Sequence, residues 1–129
     1  MLPGASPPAR LDVGIEGLRS DKGVVRVCLT RDPGHFPDCQ SDPAARRATV
    51  PASDPEPQFA GLPSGDYAVS LFHDENANGR LDRLAGIPTE GVGFSNNPRL
   101  LFGPPRFVQA RFTLTNRPLD EKVRLQYFL

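Results

Sequence analysis

At 129 residues the chain has the length of one domain and can bury a real core. Its 15 basic and 15 acidic side chains cancel, which argues against a general nucleic-acid or anionic-membrane surface, since either needs a basic excess. Fifteen prolines and twelve glycines disfavour an all-helical fold, and no apolar run approaches the roughly 18 residues that span a bilayer.

The opening residues 1–8 lack the basic start and apolar middle of a signal peptide. Residues 1–9 are expected to form a flexible arm, standing where an export signal has been removed, ahead of a single β domain over 10–129; a native cytosolic start is the alternative. Leu11, Val13 and Ile15 alternate with polar or small neighbours and predict a half-buried strand. Past the turn at Ser20-Asp21-Lys22-Gly23, Val25, Val27 and Leu29 predict a second strand, expected to pair with the first as a hairpin. Residues 31–45 read as an irregular loop with Phe36 as its inward anchor and a short helical turn at 44–47. Strands are expected at 46–51 and 58–62, with Pro51, Pro55 and Pro57 suiting an edge. Residues 66–73 carry the strongest pattern. Tyr67, Val69 and Leu71 share one face and Ala68, Ser70 and Phe72 the other, which predicts a central strand.

The stretch 84–105 is rich in glycine and proline, and so long an irregular segment marks a functional or disordered loop. Phe94, Leu100, Leu101 and Phe102 favour packing. Closing strands are expected at 108–114, with Phe112 and Leu114 inward, and at 121–127, with Val123, Leu125 and Tyr127 inward. About seven short strands and no long helix predict an all-β, antiparallel sandwich with Greek-key connections, a β-barrel being the structural alternative.

Cys28 and Cys39 have neither zinc spacing nor the C-x-x-C redox pattern. A disulfide from a strand end to the following loop is expected, rather than two reduced thiols. It would place the chain in an oxidising compartment and stabilise it by roughly 2–3 kcal/mol.

Residues 74–82 read D-E-N-A-N-G-R-L-D, with oxygen donors at alternate positions around a glycine. This suits a loop wrapped on Ca²⁺: Asp74, Asn76 and Asn78 at positions one, three and five, Gly79 at the sharp turn, the Arg80 carbonyl at seven and Asp82 at nine. The twelfth position is Ala85, so the usual bidentate carboxylate is missing. Glu90 is the best substitute and Glu75 a weaker one. Binding would be weak, about 10⁻⁴–10⁻³ M. The alternative is a metal-free loop held by Asx turns around Asn78-Gly79.

His73 and Asp74 are consecutive on a strand and so face opposite ways, which favours a structural histidine over an acid–base pair. His35 reads as a solvated loop residue. His73 with Ser95, Asn96 and Asn97 could rim a site for a protein, peptide or glycan, because carboxamides donate and accept together. The competing reading has the asparagines satisfying loop backbone. No nucleophile elbow and no phosphate loop is present.

The succession GLRSDKGVVRVCL, HFPDC, GLPSGDYAVSLFHDENANGRLD, GIPTEGVGFSNNP and FGPPRF resembles the bacterial domain of unknown function 2141, from about Leu11 to Leu129. The composite FHDEN-x-NG-x-LD with GIP-x-EG-x-GFSNN carries the specificity. The resemblance implies a periplasmic or secreted protein with an immunoglobulin-like or transthyretin-like sandwich, and it brings no activity with it. The cysteine pair departs from many similar sequences, so the disulfide rests on this chain alone.

The functional expectation is a non-enzymatic exported module whose loops 73–105 form a binding or assembly face. An enzyme or accessory subunit acting on extracellular carbohydrate or peptide, with Asp74, Asp82 and Glu90 as its acids, is the alternative. A carrier for a small apolar ligand is a third reading and requires a cavity.

Overall fold

A computed structural model describes residues 9–39, 41–100 and 103–129. Of the expected arm, 1–8 lie outside the described residues, while Ala9 is buried and opens the first strand. Leu101 and Phe102 also lie outside them.

The alternating segments become strands β1 (Ala9–Glu16), β2 (Val24–Thr30), β3 (Arg46–Pro51), β4 (Gln58–Leu62) and β5 (Gly65–Asp74). The glycine-rich stretch carries β6 (Arg83–Leu84), β7 (Ile87–Pro88) and β8 (Val92–Phe94). A short helix α1 (Phe107–Ala110), β9 (Phe112–Leu114) and β10 (Leu119–Arg124) complete the described elements. One sheet has the order β10-β1-β4. A second has β3-β2-β5-β8, with β9 also paired to β5, and β6 and β7 form a separate hairpin. The protein is thus predominantly β, mostly antiparallel. The pair β1–β10 is parallel, with Leu11 opposite Leu119 and Glu16 opposite Arg124.

Apolar side chains from both sheets meet in one core that includes Leu11, Val13, Val27, Leu29, Val69, Leu71 and Val123. Burying each aliphatic side chain contributes about 1.5–3 kcal/mol. A second cluster lies on the opposite face of β5. There Ala68, Val92, Phe94, Phe107 and Ala110 pack with Phe36, Phe72, Leu81 and Leu100. The Phe36 ring meets Phe94 edge-on at 5.9 Å and Phe107 at 6.1 Å, so Phe36 is the expected inward anchor. β5 pairs on both edges and is covered on both faces, as its pattern predicts.

Three expectations are corrected. β1 and β2 do not form a hairpin: β4 and β10 flank β1, and β3 and β5 flank β2. The seven residues between them cross from one sheet to the other. Gly23 (φ 69°) ends that crossing so close to β5 that a Cβ would lie 2.2 Å from the Asp74 carbonyl oxygen. The first half of the expected strand 108–114 is α1. Phe107 and Ala110, three apart, both turn into the second cluster, and the Gln109 carboxamide accepts the Arg106 N–H at 2.8 Å to start the turn. The short helical turn expected at 44–47 is absent. Instead a 3-10 turn forms at Pro33–His35, capped by the Asp32 carboxylate on the Gly34 N–H.

β10 ends three residues sooner than its alternation suggests, because the chain changes partner. The Leu125 N–H still donates to Glu16, but Gln126 exchanges two backbone hydrogen bonds with Val92 of β8, at 2.9 and 2.8 Å. This links the edge of one sheet to the edge of the other.

Candidate functional site

β5 delivers Asp74 to the loop wholly buried, on the face that bears Phe72. Arg26, opposite Phe72 on β2, reaches it through Nε at 2.7 Å. The same carboxylate accepts the N–H of Gly79 at 2.8 Å and of Asn78 at 3.2 Å, folding the chain back on itself. The Asn78 side-chain oxygen accepts the Arg80 N–H at 2.9 Å, and Asn76 does the same for the Asn78 N–H at 3.3 Å, both Asx turns. Ala77 (φ 53°) and Gly79 (φ 82°) supply the left-handed backbone that so tight a coil needs.

Across the coil, Asp82 accepts the carboxamide N–H groups of Asn76 and Asn78, each at 2.8 Å. These donors, Asn78 foremost, hold its carboxyl below the usual range. Glu90 arrives from the following loop, as expected, and is buried. It accepts the N–H of Glu75 at 2.8 Å and of Asp82 at 3.1 Å. Burial pushes its carboxyl up, and the charges of Asp82 and Asp74 add to that, against the two N–H groups. Glu75 turns outward to the Arg19 guanidinium and the Ser20 hydroxyl, and Arg19 holds it below its usual range. Arg19 also donates to the carbonyls of Thr89 and Leu129, both at 2.9 Å, and lies over the Tyr127 ring. The structure therefore gathers Asp74, Asn76, Asn78, Asp82 and Glu90 into one knot. Their oxygens are occupied by the loop's own donors and, at Asp74, by Arg26 of β2. Among the described residues, no group of three or more His, Cys, Asp or Glu is arranged to hold a metal ion.

The second expected set is built into the frame. His73 is fully buried, on the core side. Its Nε2 donates to the Lys22 carbonyl at 2.7 Å, and its Nδ1 is hydrogen-bonded to the Tyr127 hydroxyl at 2.9 Å. Ser95 is also fully buried; its Oγ accepts the Val69 N–H at 2.9 Å and donates to the Ala110 carbonyl at 2.5 Å. Asn96 donates to the Arg111 carbonyl at 2.7 Å, and Asn97 joins the Lys122 carbonyl and the Arg124 N–H. Ser95, Asn96 and Asn97 thus tie the end of β8 to its neighbours, and His73 ties β5 to Lys22 and Tyr127. His35, expected to be solvated, is half-buried and pairs with Asp32 at 2.7 Å.

Above the outer face of the five-stranded sheet, the loops leave a groove of about 980 Å³. Phe72, Val92, Phe94, Leu81 and Leu100 line it, with the β6–β7 hairpin as one wall and Pro37 and the cysteine pair at the other side. Its charged side chains are Arg26, Arg47, Arg80, Arg83 and Asp38.

The family described as "Uncharacterized protein conserved in bacteria (DUF2141)" matches residues 13–122, most of the chain. The chain belongs to that family. No curated protein and no solved structure matches it.

In this DUF2141 protein Cys28 and Cys39 lie at disulfide distance, their Cα atoms 6.6 Å apart. The pair sets Cys39 against β2 at the groove wall, and Arg47 donates to the Cys39 and Asp42 carbonyls. Sequence reasoning missed Arg26, the partner of Asp74, although its face on β2 follows from the alternation. It also missed the groove, which depends on how two distant loops cover one sheet.

Proposed function

We propose that this DUF2141 protein is a non-enzymatic, exported binding module. Its two sheets form an immunoglobulin-like or transthyretin-like sandwich with Greek-key connections, and loops 73–105 form its binding face. The groove of about 980 Å³ carries this reading, since its volume and its apolar lining with a few charged groups match ligand sites in general. The disulfide supports an oxidising, extracytoplasmic compartment. Asp74, Asp82 and Glu90 favour binding over catalysis: Asp74 is sealed in an ion pair, and the other two are filled by N–H donors rather than turned to a substrate. Isotope-labelled protein titrated with peptide, glycan and lipid mixtures tests the reading by amide chemical-shift mapping. Saturable shifts at residues 79–94 and at 26–28 support it. Shifts confined to the β10-β1-β4 sheet, or none, overturn it.

A second reading keeps calcium as a cofactor of the knot. The convergence of Asn76 and Asn78 on Asp82 favours it, because a carboxamide turned through half a rotation presents oxygen where nitrogen stood. Ca²⁺ there would also offset the repulsion among Asp74, Asp82 and Glu90. At about 10 mM Ca²⁺, affinity of the expected order adds about 1.4–2.7 kcal/mol and raises Tm by about 4–10 °C. An unchanged Tm removes calcium and leaves the binding face untouched.

A further inference from the structure

We infer that the groove holds a single-chain anionic amphiphile, a long-chain carboxylate, with its alkyl chain along the Phe72–Phe94 floor and its head at the guanidinium groups of Arg80 and Arg83. The inference rests on the binding-face reading and names its ligand class.

The apolar half follows from the floor and the flap. Phe72, Val92 and Phe94 are successive residues of two paired strands on one sheet face, and Leu81 and Leu100 extend them from the loops. The hairpin beside them exposes Ile87 at 46% and Leu84 at 65%, and Phe128, across the groove, is 43% exposed. These side chains gain from an alkyl chain what they lack in water. The volume lies at the upper end for a single small ligand, which suits one chain rather than the two of a bilayer lipid.

The anionic half follows from charge. The chain as a whole is neutral, yet the groove is lined by four arginines and one aspartate. Arg26 is held by Asp74, and Arg47 by the Cys39 and Asp42 carbonyls. Arg80 and Arg83 are exposed; the Arg80 charge acts on the Asp82 carboxylate at longer range, and among the described residues neither guanidinium is in a hydrogen bond or close ion pair. A guanidinium fork matches a carboxylate in a bidentate pair. A neutral chain leaves both cations without a partner, and a short anion leaves the floor wet.

Calorimetric titration of the delipidated, oxidised full chain with laurate, dodecanol and acetate tests the assignment. Laurate is expected to saturate at one equivalent, dodecanol to bind at least about tenfold more weakly, and acetate not to bind. The R80E/R83E double variant should weaken laurate at least about tenfold with β2 and β5 still protected in hydrogen exchange, because both side chains are exposed. Ile87→Asp, on the flap, should weaken laurate and dodecanol alike. Equal binding of laurate and dodecanol, or R80E/R83E affinity equal to that of the parent, overturns the anionic head. No saturable laurate binding overturns the amphiphile altogether. The binding-face reading falls separately, when no ligand of any class shifts the amides of 79–94.

Discussion

The two faces of β5 are both covered, but by different kinds of chain. The inner face meets another sheet, where alternation supplies Leu11, Val13 and Val123 as an unbroken apolar layer. The outer face is roofed by loops, the two-residue strands β6 and β7, and one turn of helix. Strands at fixed spacing close-pack and leave no room. Irregular chain, obliged to satisfy its own backbone groups, stands off the sheet and leaves a groove. The same strand thus builds a close-packed layer on one side and floors an open groove on the other.

Substitutions on either side break or sharpen this contrast. Leu71→Ala, facing the inner layer, should cost about 3–4 kcal/mol through lost burial and a cavity. Its neighbour Phe72→Ala, half-buried beside the groove, should cost about 1–2 kcal/mol, since the space it opens is continuous with solvent. Urea unfolding compares them, and equal losses would mean that the outer face packs as tightly as the inner.

Asp74→Ala comes next, at about 2–3 kcal/mol. It strips the Gly79 N–H of its acceptor and leaves the Asn78 N–H only the 3.3 Å bond to Asn76, while half-exposed Arg26 regains water. The expected signature is loss of hydrogen-exchange protection across 75–90 with β2 and β5 still protected. Loss of protection throughout would show that the knot holds the fold rather than the loop.

The smallest effect is in acid. Asp82 and Glu75, with ordinary values of 3.8 and 4.5, are both lowered in the folded chain. The stability they contribute is fully present above about pH 4.5 and is lost as pH falls through their lowered native values. Glu90, raised from 4.5, runs the other way: its contribution is present in acid and is lost as pH rises through its raised value. A pH series of Tm should therefore fall mainly below about pH 4, and Asp82→Asn should flatten that fall. An unaltered acid limb in Asp82→Asn would show that the carboxamide contacts carry no charge dependence.

Alternation identifies which residues are strands and which face is buried, and β3 and β4 begin and end where it places them. It is silent on partners, so the natural guess of a β1–β2 hairpin fails while both strands exist. The helical spacing of Phe107 and Ala110 is hidden because Val108, Ala110 and Phe112 also alternate. At the site, the oxygen-rich run 74–82 and the reach of Glu90 are local enough to read from the chain. Arg26 lies 48 residues from Asp74, and no local signal joins them. Asn96 and Asn97 look like a ligand rim in one dimension, because the carbonyls they hold belong to residues 111 and 122.

The pairing of β1 with β10 sets the timing of folding. The first described strand finds its parallel partner only at residues 119–124, so the three-stranded sheet cannot close until that segment is present. Closing a loop of that length is slow compared with forming a hairpin. Until the final segment emerges, β1 has only β4 to hold it. A chain built this way completes its three-stranded sheet late, by a long-range pairing rather than a local one.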